Sequence, residues 1–288
     1  NLTPISDTIC LGTSINPGAN VTNCYDSVSY SWSMPGSSVP SSGASNPGSI
    51  SYSSPGDYTI TLTITNGCGD TTVSHDVHVY DLPNVNLSSF NDVCEDAGSV
   101  NLTGGTPSGG TYSGNHVSGG SFYPDSAGQG KHDIIYTYTD QYGCTNSDTN
   151  TITVHPLPSV SLGSMPDLCK DAPKQNLNAG NPSGGTYSGP GVNNNQFDPA
   201  VAGVGTHTIT YTYTDSNGCT NSATGTITVN PLPTVTFGNI SDVCIDEVPI
   251  TLTTGSPSGG SYYGTGVSNG KFYLGTAGIG THKVYYTY

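Results

Sequence analysis

A chain of 288 residues, 33% hydrophobic and 9% charged, is long enough for two or more domains, and its 19 tyrosines and many β-branched residues favour ordered strands over disorder. Its formal net charge of −15 comes from 20 acidic residues against five lysines and no arginine, which argues against phosphate contacts and so against nucleic-acid binding. No apolar run has the length of a membrane-spanning helix, and because the chain begins at Asn1 with neither Met nor a signal-peptide pattern, we expect a mature or cut fragment.

The first 80 residues predict a β-sandwich with an extra loop. Residues 56–66 alternate apolar residues with Thr and lead through Gly67 to Cys68, which indicates a strand and a turn. Trp32 is the only tryptophan and lies in the short stretch 29–32. We predict that it is a core residue of a central strand.

The rest of the chain repeats itself at a fixed offset of 75 residues. The motif DVCED at 92–96 recurs as DLCKD at 167–171 and DVCID at 242–246, and YTYTD at 136–140 recurs at 211–215 and starts again at 286. Together with the first segment, this period predicts four domains, at residues 1–80, 81–155, 156–230 and 231–288. The last of them stops before its final strand.

Each copy contains a glycine-rich stretch, PSGGTYSG at 107–114 and 182–189 and PSGGSYYG at 257–264. Such a loop binds phosphate when it leads into a helix N-terminus, but no helical pattern follows any of the three. The Thr and Ser residues around the tyrosine indicate a short strand entered through a Pro/Gly turn. We predict that Tyr112, Tyr187 and Tyr262 point inward.

The tyrosine-rich stretch that follows has a period of two. Ile209, Tyr211 and Tyr213 share one face and threonines the other, which indicates a strand with one buried face. Residues 224–230 alternate as well, and DSNG at 215–218 predicts the turn between them. Short strands with frequent turns predict an all-β fold of tandem immunoglobulin-like β-sandwich domains. Leu-Pro pairs at 82–83, 157–158 and 232–233 predict short, semi-rigid joints and an extended rod of ~120 Å.

Eight cysteines indicate an oxidising, extracellular compartment. Cys94 and Cys144 are 50 residues apart, and Cys169 and Cys219 repeat that spacing. We therefore predict a disulfide inside each unit, stabilising it by about 4 kcal/mol through loop closure.

In the first segment the preferred pair is Cys10–Cys68, while Cys24–Cys68 and Cys10–Cys24 stay open. Cys244 would need a partner near position 294, beyond Tyr288, and is expected to be unpaired.

Aspartates flank the first cysteine of each copy, and a disulfide in each unit would bring the aspartate of the YTYTD motif to the same end. Such oxygen-rich clusters near domain joints can hold Ca²⁺, whereas solvated turn aspartates are the favoured alternative. The candidate ligands are Asp92, Asp96, Asp140, Asp167, Asp171 and Asp215. No other cofactor is expected.

The histidines predict structure rather than chemistry. His132, His207 and His282 recur at the 75-residue offset, as structural positions do, and His75 and His78 are predicted to face opposite sides of a strand. No catalytic motif stands out, so we predict that the chain is not an enzyme.

The units ending in YTYTD-x-x-GCTNS, the joint PLP and the stretch PSGGTYSG resemble the Ig-like tandem repeats of very large Bacteroidota cell-surface proteins. These are similar to gliding-motility adhesins and other cargo of the type IX secretion system. The first segment, with YSW at 30–32 and GDYTITLTITN at 56–66, resembles the PKD-like domains that accompany them. The resemblance implies export across the outer membrane, surface attachment and a stalk or adhesive role without catalysis.

The same resemblance implies O-glycosylation at Asp-(Ser/Thr)-(small or aliphatic) motifs. The candidate acceptors are Thr8, Ser27, Thr71 and Ser126.

We predict a non-catalytic stalk segment of a surface adhesin, at the exterior of the bacterial outer membrane and not itself membrane-spanning. Its expected partners are other domains of the same chain and surface polysaccharide, host or substratum. The alternative function is a carbohydrate-binding module array of a secreted surface protein or hydrolase, which needs exposed aromatic platforms. A further hypothesis is strand donation from another chain to the open edge of the last unit.

Overall fold

The computed structural model of the chain describes residues 2–3, 5–22 and 27–288. Its first segment is organised by one long hairpin, in which apolar residues alternate with polar ones on both sides of the turn at Cys68. A five-stranded sheet has the order β1-β7-β6-β3-β4, and β2 pairs with β5. The strands are β1 (Thr8–Cys10), β2 (Ser14–Ile15), β3 (Ser29–Ser33), β4 (Ser41–Ser42), β5 (Ile50–Ser51), β6 (Gly56–Asn66) and β7 (Gly69–Tyr80).

The repeat at 81–155 again has one long hairpin, flanked by short strands. Its four-stranded sheet has the order β12-β15-β16-β9, beside a three-stranded sheet β10-β14-β13 and the pair β11-β8. The elements are β8 (Asn86–Leu87), β9 (Val93–Cys94), β10 (Val100–Asn101), β11 (Gly105–Thr106), β12 (Thr111–Gly114), β13 (Val117–Ser118), β14 (Ser121–Phe122), α1 (Pro124–Ala127), β15 (Gly130–Thr139) and β16 (Thr145–His155).

The repeat at 156–230 reproduces this arrangement, with the sheets β18-β25-β24-β21 and β19-β23-β22 and the pair β17-β20. The elements are β17 (Ser161–Leu162), β18 (Leu168–Cys169), β19 (Gln175–Asn176), β20 (Gly180–Asn181), β21 (Thr186–Ser188), β22 (Val192–Asn193), β23 (Gln196–Phe197), α2 (Pro199–Ala202), β24 (Gly205–Thr214) and β25 (Thr220–Asn230).

Residues 231–288 follow the same order without a counterpart of β9, and they end in β32, a strand of four residues at the position of β15. The sheets are β27-β31-β30, β29-β32 and β26-β28. The elements are β26 (Thr236–Phe237), β27 (Ile250–Thr251), β28 (Gly255–Ser256), β29 (Ser261–Gly264), β30 (Val267–Ser268), β31 (Lys271–Phe272), α3 (Leu274–Ala277) and β32 (Val284–Thr287).

Each segment buries its own core. Trp32 is 2% exposed on β3, where its indole N–H donates to the Ala44 carbonyl, so its prediction as a core residue is confirmed. On β24, Ile209 and Tyr211 are buried and Tyr213 is half-buried, as the alternation predicted. The same alternation buries Ile227 and Val229 on β25.

The all-β fold class is confirmed, with 47% of the residues in strands and 4% in helices. Across the described ranges the helices are single turns of four residues, and none could cross a bilayer. The chain divides into two compact units, Asn1–Leu157 with Ser216–Cys219, and Pro158–Asp215 with Thr220–Tyr288.

Candidate functional site: the repeated loop and the cysteine junctions

The glycine-rich loop 107–114 is folded around the ring of Tyr136, which lies on β15 and is 2% exposed. The Tyr136 hydroxyl donates to the Pro107 carbonyl at 2.5 Å and accepts from the Gly110 N–H at 2.7 Å. A Cβ on Gly110 would lie 2.4 Å from the Thr137 carbonyl oxygen and 2.6 Å from the tyrosine ring. The glycine therefore serves the close approach of the loop to a buried tyrosine, and the loop is part of the scaffold.

The prediction that Tyr112 points inward is confirmed. Its half-buried side chain packs on the core of its repeat, with its ring centroid 4.8 Å from that of Tyr136. Its hydroxyl accepts from the Gly105 N–H at 2.9 Å. The equivalent rings repeat this contact, Tyr187 with Gly180 and Tyr262 with Gly255. Rings held in this way do not form the exposed platform that sugar stacking needs.

The two cysteines of one repeat lie at opposite ends of the same long strand. Cys94 is the last residue of β9, which runs parallel to β16. In this pairing Cys94 lies beside His155, the last residue of β16. Cys144 lies directly before Thr145, the first residue of β16. A strand of 11 residues at ~3.3 Å per residue separates them by about 35 Å, whereas a disulfide needs Cα atoms within ~7 Å. The predicted pair Cys94–Cys144 is therefore wrong.

The same geometry corrects the other predicted pairs. Cys169 pairs in β-register with Asn230 at the end of β25, whereas Cys219 precedes its first residue. Cys10 pairs with Tyr80 at the end of β7, whereas Cys68 precedes its first residue. Cys169–Cys219 and Cys10–Cys68 are wrong for this reason. Cys24, with its two open alternatives, lies outside the described residues.

The disulfides join successive segments instead. Cys10 is bonded to Cys144, and Cys94 is bonded to Cys219, each with a Cα–Cα distance of 5.5 Å. Cys144 and Cys219 are fully buried. Among the described cysteines, Cys68, Cys169 and Cys244 are free and exposed, so the predictions that Cys68 and Cys169 are bonded are wrong and the expectation for Cys244 is confirmed.

Further contacts accompany the Cys10–Cys144 bond. Tyr80, the β-partner of Cys10, stacks on Tyr142 with ring centroids 4.0 Å apart and planes at 11°. The Asn146 amide, just after Cys144, donates to the carbonyl of Pro83 in the joint at 3.0 Å. The joint between the first two segments is thus held by a covalent bond, a ring stack and a hydrogen bond.

The structure does not bring the candidate calcium ligands of one repeat together. Asp92 lies with Cys94 near the end of β16, where Oδ2 is 3.1 Å from Nε2 of His155, and Asp140 lies before its start. The hydrogen bond from His155 holds the pKa of the exposed Asp92 carboxyl below its ordinary value. Asp140 Oδ1 accepts from the backbone N–H groups of Tyr142 and Cys144, which is the Asx-turn alternative.

Of the remaining candidates, the turn residue Asp215 is half-buried. The others are exposed, namely Asp96, Asp167 and Asp171. Within residues 2–3, 5–22 and 27–288, no group of three or more His, Cys, Asp or Glu side chains is arranged to hold a metal ion. Calcium binding stays a prediction without a site.

The repeated histidines have one structural contact in common. Nε2 of His132, His207 and His282 lies 2.8–2.9 Å from the carbonyl of the glycine that ends the preceding helical turn. On β7, His75 and His78 have different partners, Asp7 and Asp57. The candidate glycosylation acceptors Thr8, Ser27, Thr71 and Ser126 are all exposed, and Asp26 of the motif at Ser27 lies outside the described residues.

Comparison with protein-family models matches one part of the chain. Residues 8–79 match the PKD domain. The first segment is PKD-like. No curated protein matches the chain.

Among solved structures, the chain is similar to a Ca²⁺-stabilised adhesin with which an Antarctic bacterium binds ice, at 16% identity over 83% of this chain and 75% of that one, with a TM-score of 0.37. It is also similar to an I-band fragment of titin, at 13% identity over 81% and 98% of the two chains, with a TM-score of 0.32. Fibronectin(III)-like modules of Clostridium thermocellum CbhA match at 16% identity over 54% and 95%, with a TM-score of 0.29. At this level of likeness no function transfers to this chain.

Proposed function

We propose that the chain is a non-catalytic stalk segment of a large secreted surface protein, in which disulfides between successive segments carry mechanical load. The observation that carries this proposal is the pair of bonds Cys10–Cys144 and Cys94–Cys219. Disulfides persist in oxidising, extracellular compartments, which is where a surface stalk would be displayed. A PKD-like first segment followed by 75-residue repeats supports the same role.

The covalent connections explain how load would pass. Three chain segments join the two disulfides in parallel: residues 10–94, 94–144 and 144–219. The shortest, 94–144, limits the extension between the junctions to about 50 residues, or ~165 Å at ~3.3 Å per residue. Without the bonds, residues 10–219 would extend by about 210 residues, or ~700 Å. Once residues 94–144 are fully extended they carry the load, and the longer parallel segments 10–94 and 144–219 are not stretched further.

The finer parts of the proposal rest on sequence. We propose the division into domains at 1–80, 81–155, 156–230 and 231–288 and an extended arrangement, on the strength of the repeat period and the Pro-containing joints. The resemblance to Bacteroidota repeats supports type IX export, display at the outer-membrane exterior and a part in adhesion or gliding. The carbohydrate-binding alternative is less favoured, because Tyr112 and its equivalents contact the loop backbone and core.

Single-molecule force extension of the full chain tests the stalk proposal. The reference is a Cys10→Ser/Cys94→Ser double variant, and Cys68→Ser/Cys169→Ser/Cys244→Ser serves as a control that removes exposed thiols but neither bond. We expect the native chain and the control to have a shorter full extension than the reference. The expected difference is about 160 residues, or ~530 Å.

The number of steps is the sharper readout. Disulfides inside each repeat would shorten the chain by a similar amount but would let each segment unfold in its own step. Disulfides between repeats leave one step of about 50 residues between the junctions. Equal extension of native chain and reference, or a separate step for each segment, would contradict the proposal.

A further inference from the structure

The cysteines of this chain fall into two positional classes. We define edge cysteines as those that end a short strand beside the last residue of the long strand, namely Cys10, Cys94 and Cys169. We define turn cysteines as those directly before the first residue of that long strand, namely Cys68, Cys144 and Cys219. Both disulfides join the edge cysteine of one segment to the turn cysteine of the segment that follows.

Cys169 has the same backbone frame as the two bonded edge cysteines. The residue after each edge cysteine donates its N–H to the last residue of the long strand: Leu11 to Tyr80, Glu95 to His155 and Lys170 to Asn230, at 2.8–3.0 Å. A tight turn follows, in which the edge carbonyl accepts from Thr13, Ala97 and Ala172 at 3.0 Å in each case. The backbone at Cys169 is therefore already set as at Cys10 and Cys94, and its thiol is exposed and free.

We propose that Cys169 is the third edge position of a disulfide ladder and bonds to the turn cysteine of the repeat after its own. The 75-residue offset places this turn cysteine near position 294, which lies beyond Tyr288. The bond forms by thiol–disulfide exchange with a small-molecule disulfide as oxidant. Both protein thiols lose their protons and together two electrons, one S–S bond forms, and the oxidant is reduced to two thiols.

Two extended chains supply the missing turn. The first adds a copy of residues 214–230 directly after Tyr288, with Ser216→Thr in the copy to mark its peptides. The second replaces residues 231–288 by a copy of 156–230 with the same mark, so that the added repeat is one whose fold is complete in this chain. Both are produced in oxidised and reduced glutathione and mapped without reduction by mass spectrometry.

The expected result is a linked peptide that joins Cys169 to the copied turn cysteine, with maleimide labelling of Cys169 falling to background. A matched Cys169→Ser version of each chain should leave the copied cysteine free and reactive. Retention of Cys10–Cys144 and Cys94–Cys219 reports that the preceding segments are intact.

The proposal is overturned if, in chains that retain those two bonds, Cys169 still reacts with maleimide. It is equally overturned if the copied turn cysteine is linked to the edge cysteine of its own repeat, which is Cys244 in the first chain. The stalk proposal is read out separately by force extension of the unextended chain, so failure of the one does not entail failure of the other.

Discussion

The Tyr136 hydroxyl connects two parts of its repeat that are far apart in sequence. Its contacts, the Pro107 carbonyl and the Gly110 N–H, lie 29 and 26 residues before it. Tyr211 and Tyr286 make the same two contacts with Pro182 and Gly185 and with Pro257 and Gly260. The period of two along the strand predicted a buried tyrosine, but it carries no information on where a buried hydroxyl finds its partners.

Replacing Tyr136 by Phe should destabilise the second repeat by about 2 kcal/mol, because the loop carbonyl and N–H lose their buried partner. Tyr52 offers a matched control. Its hydroxyl is buried without a hydrogen-bond partner among the described residues, and burial, with the nearby Tyr58, raises its pKa.

Tyr52→Phe should therefore not destabilise its segment, because it removes a buried hydroxyl that already lacks a partner. Hydrogen exchange of the hairpins β15–β16 and β6–β7 measures each opening free energy locally. Equal losses in both variants would show that the loop contact of Tyr136 contributes nothing.

The glycine-rich loop and the long hairpin β15–β16 fit each other sterically. The absence of a side chain at Gly110 lets the loop contact β15, where Thr137 and Tyr136 leave no room for a Cβ. The sequence predicted a short strand entered through a turn here, because no helical pattern follows the loop and Thr and Ser surround its tyrosine. Which of its glycines is sterically required depends on the packed strand below and could not be predicted.

Gly110→Ala should destabilise the second repeat by about 3 kcal/mol, since backbone atoms of β15 must shift to admit the methyl group. Gly98→Ala is the matched control, because a Cβ there would meet open space without a positive φ. Exchange of the β15–β16 amides should rise in the first variant and stay unchanged in the second. An unchanged β15–β16 hairpin in Gly110→Ala would contradict the proposed packing.

The length of β16 also explains why the cysteine pairing was mispredicted while the strands were not. Alternation is a local signal, so β15, β16 and their equivalents follow from sequence. A spacing of 50 residues within every copy is also a constant spacing between copies, 125 residues for Cys94 and Cys219. Repetition therefore identifies the two cysteine positions but not which copies are joined. The long strand excludes a bond within one copy, because it separates the two cysteines of that copy by about 35 Å.

For the whole molecule, disulfides between segments change what the bonds stabilise. Within the described residues no disulfide closes inside one segment, and each segment has a hydrophobic core cluster of its own. The bonds instead close loops of 134 and 125 residues that each span a joint. They limit the extension of the chain, which is the property that a load-bearing filament needs.

Disulfide mapping of the oxidised full chain distinguishes bonds between segments from bonds within them. We predict linked peptides for Cys10–Cys144 and Cys94–Cys219, and in a Cys94→Ser variant a newly free Cys219 with Cys144 still bonded. Linked peptides for Cys94–Cys144 or Cys169–Cys219, or a free Cys144 in the Cys94→Ser variant, would contradict the pairing between segments.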